Sequence, residues 1–331
     1  MNLTPRAFLS GHAARDAVGA GLAVPFLGGP RAFTMVETDM QMRPARSFAA
    51  EDLAAFAQPL VPFCGIAVTR PILMGVLNVT PDSFSDGGRF HKPENALAHA
   101  AMLIDAGAAI IDVGGESTRP GATPVDEDEE IARIVPVVRA LAERGLCVSI
   151  DTRHTKVMQA ALEAGARIVN DIAALTAPGA IEVVAKAEAH VMLMHMQGTP
   201  QTMQIKPTYE WAPGDVYTFL SERVAACVAA EIPKDRIAID PGLGFGKTDE
   251  HNLQILDHLA MFHGLGCVLA VGASRKGFIG RMTGEAEAGN RVTGSVAAAL
   301  YAAGQGAQIL RVHDVAETRQ ALAVWAEING F

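Results

Sequence analysis

Eight short apolar runs, separated by longer segments with helical periodicity, constrain the fold of this 331-residue chain more than any other feature. The runs are continuous rather than alternating, which is typical of strands buried on both faces of a parallel sheet. The intervening segments place apolar residues three and four positions apart, as amphipathic helices do. We predict strands at 73–79, 110–114, 147–151, 168–172, 191–196, 237–240, 268–272 and 309–313.

These eight βα units extend over about 265 residues, which fits a (β/α)8 TIM barrel, an α/β fold of about 250 residues. An open, doubly wound sheet is the alternative. The barrel is favoured because polar residues stand at the carboxyl ends of nearly all eight runs, and only a closed ring brings all of these ends together. The helix predicted at 126–144 has acidic residues in its first turn, and Gly145 ends it.

Residues 1–63 precede the regular pattern and are predicted to form an N-terminal extension whose function is unclear. Within it, 30–39 fits a strand and 48–58 fits a helix. Residues 64–331 are predicted to form the barrel domain. The apolar residues on either side of Thr69-Arg70 predict a short hairpin that leads into the first strand.

Composition excludes several classes of function. Lys and Arg total 27 against 36 Asp and Glu, so a net charge of −9 argues against nucleic-acid partners and anionic membranes. No apolar run reaches the roughly 20 residues that span a bilayer. The four cysteines are widely spaced, which predicts reduced thiols in a cytoplasmic protein rather than a disulfide or zinc site; they are Cys64, Cys147, Cys227 and Cys267.

The stretch 240–248, Asp-Pro-Gly-Leu-Gly-Phe-Gly-Lys-Thr, follows the sixth strand and resembles a phosphate-binding loop. That motif needs four residues between its first glycine and its Gly-Lys pair, whereas three separate Gly242 from Gly246. Asp240 is therefore either a strand-end carboxylate aimed at a ligand or a turn residue that caps the next helix.

Polar residues at the strand ends divide into two sets. One set supplies acceptors deep in the barrel, with a lysine as donor, and suits a flat heterocycle such as a 2-amino-4-oxopyrimidine. The other set belongs to the first and eighth strands, which are neighbours in a closed barrel, and suits a phosphate or pyrophosphate with Mg²⁺. The first set is Asp112, Asp151, Asn170, Asp240 and Lys276, and the second is Asn78, Arg311 and His313. His195, between two methionines, is more typical of a packed barrel histidine.

With these motifs, residues 64–331 resemble the dihydropteroate synthase family. The resemblance rests on segments that occur in the family's order, namely 73–88, 112–121, Asp151-Thr152, Asn170-Asp171, 240–247, Ser274-Arg275-Lys276 and 311–314. It implies a transferase of folate biosynthesis that joins 6-hydroxymethyl-7,8-dihydropterin pyrophosphate to 4-aminobenzoate, giving 7,8-dihydropteroate and pyrophosphate. It also implies a homodimer and a target of sulfonamides.

The resemblance also implies roles for individual residues. The residues implied in catalysis are Asp86, Arg119, Asp151, Asp240 and Lys276. Those implied in substrate binding are Asn78, Phe84, Asp112, Thr118, Arg119, Pro120, Asp151, Asn170, Met194, Asp240, Phe245, Lys276, Arg311 and His313. Asn78 would also contact Mg²⁺. Lys247 has two interpretations, a contact to the pterin or a brace for Asp240.

For this reaction we expect a dissociative, SN1-like displacement, in which pyrophosphate leaves the pterin methylene carbon before the amine attacks, because the electron-rich dihydropterin can support a cation there. Two alternatives to this activity remain at this point. One is a pterin-binding methyltransferase domain, which acts on a methylated folate without pyrophosphate. The other is a non-catalytic paralogue.

Overall fold

The computed structural model describes residues 2–38, 41–79, 93–117, 121 and 125–331. The chain begins with an antiparallel sheet outside the barrel. Its central strand pairs with all three of the others. The elements are β1 (Thr4–Ser10), α1 (Gly11–Gly19), β2 (Val24–Pro25), β3 (Arg31–Thr38), β4 (Gln41–Pro44) and α2 (Ala54–Ala57).

Within this extension, the strand predicted at 30–39 is confirmed as β3. The helix predicted at 48–58 is wrong except for the four residues of α2. The apolar residues behind that prediction, Phe48, Leu53 and Phe56, instead pack with Phe33 and Ala260 in a cluster between the sheet and the barrel's outer layer. Tertiary packing therefore satisfies them without a regular helix.

Eight parallel strands close into a barrel, because the last of them pairs with the first. The predicted (β/α)8 fold is confirmed, and the open sheet is wrong. The strands are β5 (Ile72–Asn78), β6 (Ile110–Gly114), β7 (Val148–Asp151), β8 (Ile168–Asp171), β9 (His190–Met194), β10 (Ile237–Asp240), β11 (Val268–Val271) and β12 (Ile309–Val312).

Helices between the strands cover the barrel, and the main core lies between these two layers. They are α3 (Pro93–Asp105), α4 (Glu127–Ala142), α5 (Thr155–Glu163), α6 (Ala180–Lys186), α7 (Ala212–Ala229), α8 (Asp249–Asp257), α9 (Gly277–Thr283), α10 (Val292–Gly304) and α11 (Val315–Asn329). The predicted acidic start of α4 is confirmed, since the Asp126 carboxylate accepts from the Asp128 amide at 2.9 Å.

The predicted hairpin around Thr69-Arg70 is wrong in position. The turn lies at Cys64-Gly65, where Phe63 and Ile66 exchange two backbone hydrogen bonds of 2.9 Å. Both central residues have positive φ, +52° and +77°, a two-residue turn geometry that favours glycine at the second position. Phe63 packs inside the barrel's N-terminal end and fills it.

The extension contacts the outer layer at several points. Arg6 donates to the Asp257 carboxylate at 2.8 Å, and the Ser10 hydroxyl donates to Asn329 Oδ1 at 2.7 Å. Across the described ranges, no helix combines the length and the apolar character needed to cross a membrane.

Candidate active site

The carboxyl ends of the barrel strands surround a pocket that contains about 340 Å³ of empty space, part of it open to solvent. It brings together seven of the predicted site residues from six strands and their loops. They are Asp151, Asn170, Met194, Asp240, Phe245, Lys276 and Arg311, joined by Ile172, Gly242, Leu243 and Gly272.

Arg311 is held by two carboxylates. Its Nε donates to Asp112 Oδ2 at 2.6 Å, and its terminal nitrogen donates to Asp151 Oδ2 at 2.5 Å. Burial alone would lower the pKa of Arg311, but Asp112 and Asp151 offset this and raise it. The guanidinium therefore stays charged and is fixed in orientation.

Asp112 lies behind the pocket wall. It is fully buried, and its Oδ2 also accepts from Asn170 Nδ2 at 3.1 Å. Asp112 thus orients Arg311 and Asn170, whereas Asp151 and Asn170 face the pocket. Burial raises the pKa of Asp151, with Arg311 opposing and Asp112 reinforcing the rise. Its buried Oδ1 has no hydrogen-bond partner among the described residues and is available to a ligand donor.

Asp240 ends β10 on the opposite side of the pocket. Its Oδ1 accepts from the Gly242 amide at 2.7 Å. Gly242 has φ +68°, and a Cβ there would lie 2.0 Å from the His195 carbonyl oxygen, so only glycine fits this turn. A Cβ on Gly272 would lie 3.7 Å from Asp240 Oδ2 and 3.8 Å from Arg311 Cβ. The missing side chain therefore leaves space beside both groups.

Lys276 and Phe245 form the other wall. Nζ of Lys276 lies 3.9 Å from the ring centroid of Phe245, a cation–π distance. Burial, together with the charge of Arg311, lowers the pKa of Lys276 to about 7. Phe245 packs with Ile172, Met194 and Met203 in an apolar cluster. The pocket therefore combines oxygen acceptors with a lysine ammonium and an apolar cluster.

Of the predicted anion-binding residues, Arg311 lines the pocket, whereas Asn78 and His313 lie beside it. A Cβ built on Gly114 would lie 3.6 Å from Asn78 Oδ1 and 3.8 Å from Asp151 Oδ2, so the amide and the carboxylate flank one small space. His313 Nδ1 lies 3.1 Å from the Ser274 hydroxyl oxygen. Burial and the charge of Arg311 lower the pKa of His313 to about 3, so the imidazole is neutral.

Comparison with known proteins shows what this barrel is related to. The profile of the family described as pterin binding enzyme matches residues 74–313. A dihydropteroate synthase of Neisseria meningitidis serogroup B is 50% identical over 270 residues, which are 80% of this chain and 95% of that protein. The chain belongs to the dihydropteroate synthase family.

Solved structures agree with that assignment. A Xanthomonas albilineans dihydropteroate synthase with 4-aminobenzoic acid superimposes with a TM-score of 0.77 at 46% identity, over 81% of this chain and 97% of that one. The same organism's enzyme in complex with 7,8-dihydropteroate gives 0.73 at 43% identity, over 80% and 96%. The protein is therefore a transferase of this family, and the non-catalytic alternative is set aside.

In this chain Lys247 is a structural residue of the glycine-rich loop. Its side chain is 1% exposed, and Nζ donates to Phe245 O at 2.9 Å, His195 Nδ1 at 2.9 Å and His195 O at 3.3 Å. Burial lowers the pKa of Lys247, and it lowers the pKa of His195 to about 2 with the Lys247 charge adding to the effect. Of the two predicted roles of Lys247, neither a pterin contact nor a hydrogen bond to Asp240 is among these contacts, which instead hold the backbone of the loop and His195. His195 is a packed histidine, as predicted.

Two ion pairs beside the site were not predicted. Arg153, after β7, donates to both oxygens of the Glu116 carboxylate at 3.0 and 3.1 Å, and Glu116 also accepts from the Val125 amide. Arg275 donates to Asp314 at 3.0 and 2.5 Å. All four residues lie next to strand ends in the sequence, but a local pattern contains no information about which of them pair. These pairs anchor loops at the rim.

Five predicted residues of the first and second loops lie outside the residues that the structure describes. They are Phe84, Asp86, Thr118, Arg119 and Pro120. Their implied roles in this chain therefore stay predictions.

Proposed function

We propose that this enzyme joins 6-hydroxymethyl-7,8-dihydropterin pyrophosphate to the amine of 4-aminobenzoate and releases 7,8-dihydropteroate and pyrophosphate. The observation that carries the proposal is the single pocket that Asp240, Asn170 and Asp151 line together with Lys276 and Phe245. Relatives with 4-aminobenzoic acid and with 7,8-dihydropteroate support the second substrate and the product.

Pterin recognition follows from the acceptors. Asp240 Oδ2 and the unpaired Oδ1 of Asp151 would accept N–H groups from the pterin's edges, and Asn170 would add an amide contact. The apolar cluster around Met194 and Phe245 would contact the ring face. A ring without those N–H groups would leave buried carboxylates unpaired, which selects strongly against it.

Pyrophosphate would bind at the edge where Asn78, Arg311 and His313 stand. Within the described ranges, no group of three or more His, Cys, Asp or Glu side chains is placed to hold a metal. Asn78 Oδ1, beside the small space at Gly114, is nevertheless an oxygen donor of the kind that suits Mg²⁺, which is usually held by one or two protein oxygens with substrate phosphates and water. Bound there with Asn78, Mg²⁺ would neutralise charge on the leaving group.

We propose that bond cleavage precedes attack. The C–O bond between the pterin methylene and pyrophosphate breaks first, and its electron pair leaves with pyrophosphate. The fixed charge of Arg311 stabilises that developing negative charge without reorganisation. The carboxylates of Asp151 and Asp240 favour the pterin cation. The neutral amine of 4-aminobenzoate then attacks the carbon and loses a proton.

The contacts of Lys276 and its neighbours indicate where 4-aminobenzoate would bind. Lys276, at the start of α9, lines the pocket beside Phe245, and its ammonium would bind the carboxylate of 4-aminobenzoate or the pterin carbonyl. Gly277 follows it and has no side chain, so only its backbone amide could contact the carboxylate. Sulfonamides, which mimic 4-aminobenzoate, would compete at this wall.

A direct assay tests the activity. The purified protein is mixed with the pterin pyrophosphate, 4-aminobenzoate and Mg²⁺, and dihydropteroate is measured. Asp240→Ala should abolish pterin binding by calorimetry, while Asp235→Ala, a matched change on an exposed residue before the same strand, should leave it unchanged. Folded protein without product, or unchanged pterin affinity in Asp240→Ala, would contradict the proposal.

Positional isotope exchange tests the order of steps. The pterin pyrophosphate carries ¹⁸O at the bridging position between carbon and phosphorus and is incubated with enzyme and Mg²⁺. A dissociative mechanism predicts that the label moves to non-bridging oxygens without 4-aminobenzoate. Scrambling that requires 4-aminobenzoate would rule out the dissociative order while leaving the overall reaction intact.

The resemblance further supports a cytoplasmic homodimer, which we include in the proposal. The small-residue helix α10 or a neighbouring helix would supply the contact. Light scattering on the full chain tests this, and a monomeric mass at assay concentrations would contradict it.

A further inference from the structure

Cys64 and Cys147 are 83 residues apart in sequence, yet their Sγ atoms lie 3.3 Å apart at the N-terminal end of the barrel. This end is opposite the candidate active site, and neither cysteine takes part in the proposed reaction. We propose that these two cysteines, the basal thiol pair, are a modification site at which a peroxide joins them in a disulfide.

Both backbones are held in place, so the short distance is a property of the fold. Cys64 occupies the tight turn between Phe63 and Ile66, which is closed by two backbone hydrogen bonds of 2.9 Å. Cys147 leads into β7, and its carbonyl oxygen accepts from the Ile111 amide at 3.0 Å. A disulfide has an S–S distance of about 2.05 Å, so the sulfurs need to approach by only about 1.3 Å.

Cys64 occupies a backbone position that favours other residues. Its φ is +52° and that of Gly65 is +77°, the geometry of a turn in which Asn-Gly is the preferred pair. A cysteine there gives up some backbone stability. The same turn directs Sγ of Cys64 towards Sγ of Cys147.

The surroundings favour a thiolate on one member. The hydrogen bond from Cys147 lowers the pKa of Cys64, burial opposes this, and the charge of Arg167 adds to the lowering. The same hydrogen bond and burial raise the pKa of Cys147. Cys64 is 1% exposed, whereas Cys147 is partly exposed, so a small oxidant has access to the pair from that side.

The reaction balances with a hydroperoxide as the oxidant. The thiolate sulfur attacks the peroxide O–O bond, forming a sulfenic acid and releasing hydroxide, or alkoxide from an organic hydroperoxide. The neighbouring thiol sulfur then attacks the sulfenic sulfur and forms the S–S bond. Water leaves with the thiol's proton. The two thiols together lose two electrons, and these electrons reduce one molecule of peroxide.

The disulfide would join the turn at Cys64-Gly65 to the residue that precedes β7, and it would close a long loop between residues 64 and 147. Such a crosslink restricts the unfolded chain. Because the N-terminal face of these barrels contributes stability rather than catalysis, the oxidised enzyme should unfold at higher temperature and keep its activity. A rise in Tm of about 2–5 °C is expected for a protein of this size.

The test uses the folded full-length enzyme, treated with hydrogen peroxide in a few-fold excess and then alkylated under denaturing conditions. Mass spectrometry should show loss of two hydrogens and a peptide pair joining Cys64 to Cys147. Dithiothreitol should reverse both changes. Cys64→Ser should remove the crosslink and the Tm rise. Cys227→Ser, a matched change at a buried cysteine of α7, should remove neither.

Three results would overturn the proposal. The first is that both thiols remain free in folded protein after oxidation. The second is that Cys64 or Cys147 proceeds to a sulfinic acid without a crosslink. The third is a crosslink that instead involves Cys227 or Cys267. The wild-type peptide map decides between these outcomes even if a serine variant fails to fold.

Discussion

Nζ of Lys247 lies 2.9 Å from Nδ1 of His195 and 2.9 Å from the carbonyl oxygen of Phe245, beneath the loop that begins at Asp240. The lysine therefore connects β10's loop to the end of β9. The loop has the glycines of a phosphate-binding sequence, yet its lysine is turned inward and satisfies the loop's own backbone.

Replacing Lys247 with Met should loosen this loop. Two carbonyl groups and an imidazole nitrogen lose their donor, at a cost of about 1–3 kcal/mol for a buried unpaired polar group. Because Asp240 and Phe245 stand on the loop, KM for the pterin pyrophosphate should rise about ten-fold or more, with a smaller change in KM for 4-aminobenzoate. Steady-state kinetics with each substrate varied separately give both values.

The matched control is Lys186→Met, at an exposed position near the end of α6, which should leave both KM values and the unfolding temperature unchanged. If Lys247→Met lowered the unfolding temperature but left the pterin KM at the wild-type value, the lysine would support the fold without positioning the site.

Arg311 should be the most sensitive charge in the barrel. Arg311→Met leaves the buried carboxylates of Asp112 and Asp151 without their cation, and breaking a buried pair in this way costs about 3–5 kcal/mol. Adding Asp112→Asn should recover part of that stability, because it removes one of the two unpaired charges. Urea unfolding of the wild type, both single variants and the double variant measures the coupling.

The loss of stability in Arg311→Met should depend on pH. Burial raises the pKa of Asp151 and Arg311 opposes this, so without Arg311 the Asp151 carboxylate binds a proton more tightly in the folded than in the unfolded chain, and its burial becomes costly as pH rises. The difference in unfolding free energy between wild type and Arg311→Met should therefore be larger at pH 8 than at pH 5.5. Equal differences at both values would show that the carboxylates do not cause the loss.

Lys276 should cause kcat/KM to decrease on the alkaline side of the enzyme's pH profile. Its pKa is lowered to about 7, so the ammonium in the free enzyme is lost as pH rises through that value. Both substrates are anionic, so kcat/KM should fall over the same range. Lys276→Arg keeps the charge. In this variant the decrease in kcat/KM should occur at higher pH, even if the activity itself is lower. Identical profiles for the two enzymes between pH 6 and 9 would exclude Lys276 as the titrating group.

The parts of the molecule that the sequence predicts are those with a local signal. Continuous apolar runs indicate buried parallel strands, and a carboxylate directly after such a run indicates the functional rim, as for Asp151 and Asp240. The pairing of Arg311 with Asp112 joins residues 199 apart, and nothing in either segment indicates it. The extension lacks a regular period, so its packing and the displaced turn at Cys64-Gly65 depend on contacts with the barrel.

A hydrogen bond between His154 and Glu130 joins the start of α5 to α4. His154 Nδ1 lies 2.8 Å from Glu130 Oε2, and Glu130 is fully buried below Gly115. The hydrogen bond to Glu130 raises the pKa of His154, against the effect of burial. Its contribution to stability is fully present below the unfolded pKa of about 6.5 and is lost as pH rises through the higher folded value.

His154→Gln should therefore destabilise the enzyme by about 1–2 kcal/mol at pH 6, the range of a charge-assisted hydrogen bond, and by less at pH 9. Urea unfolding at the two pH values measures both differences. His12→Gln, at an exposed position of α1, provides the control and should leave the free energy of unfolding close to the wild-type value. A His154→Gln deficit that grew with pH would mean that the imidazole is neutral in the folded enzyme and that Glu130 is stabilised in another way.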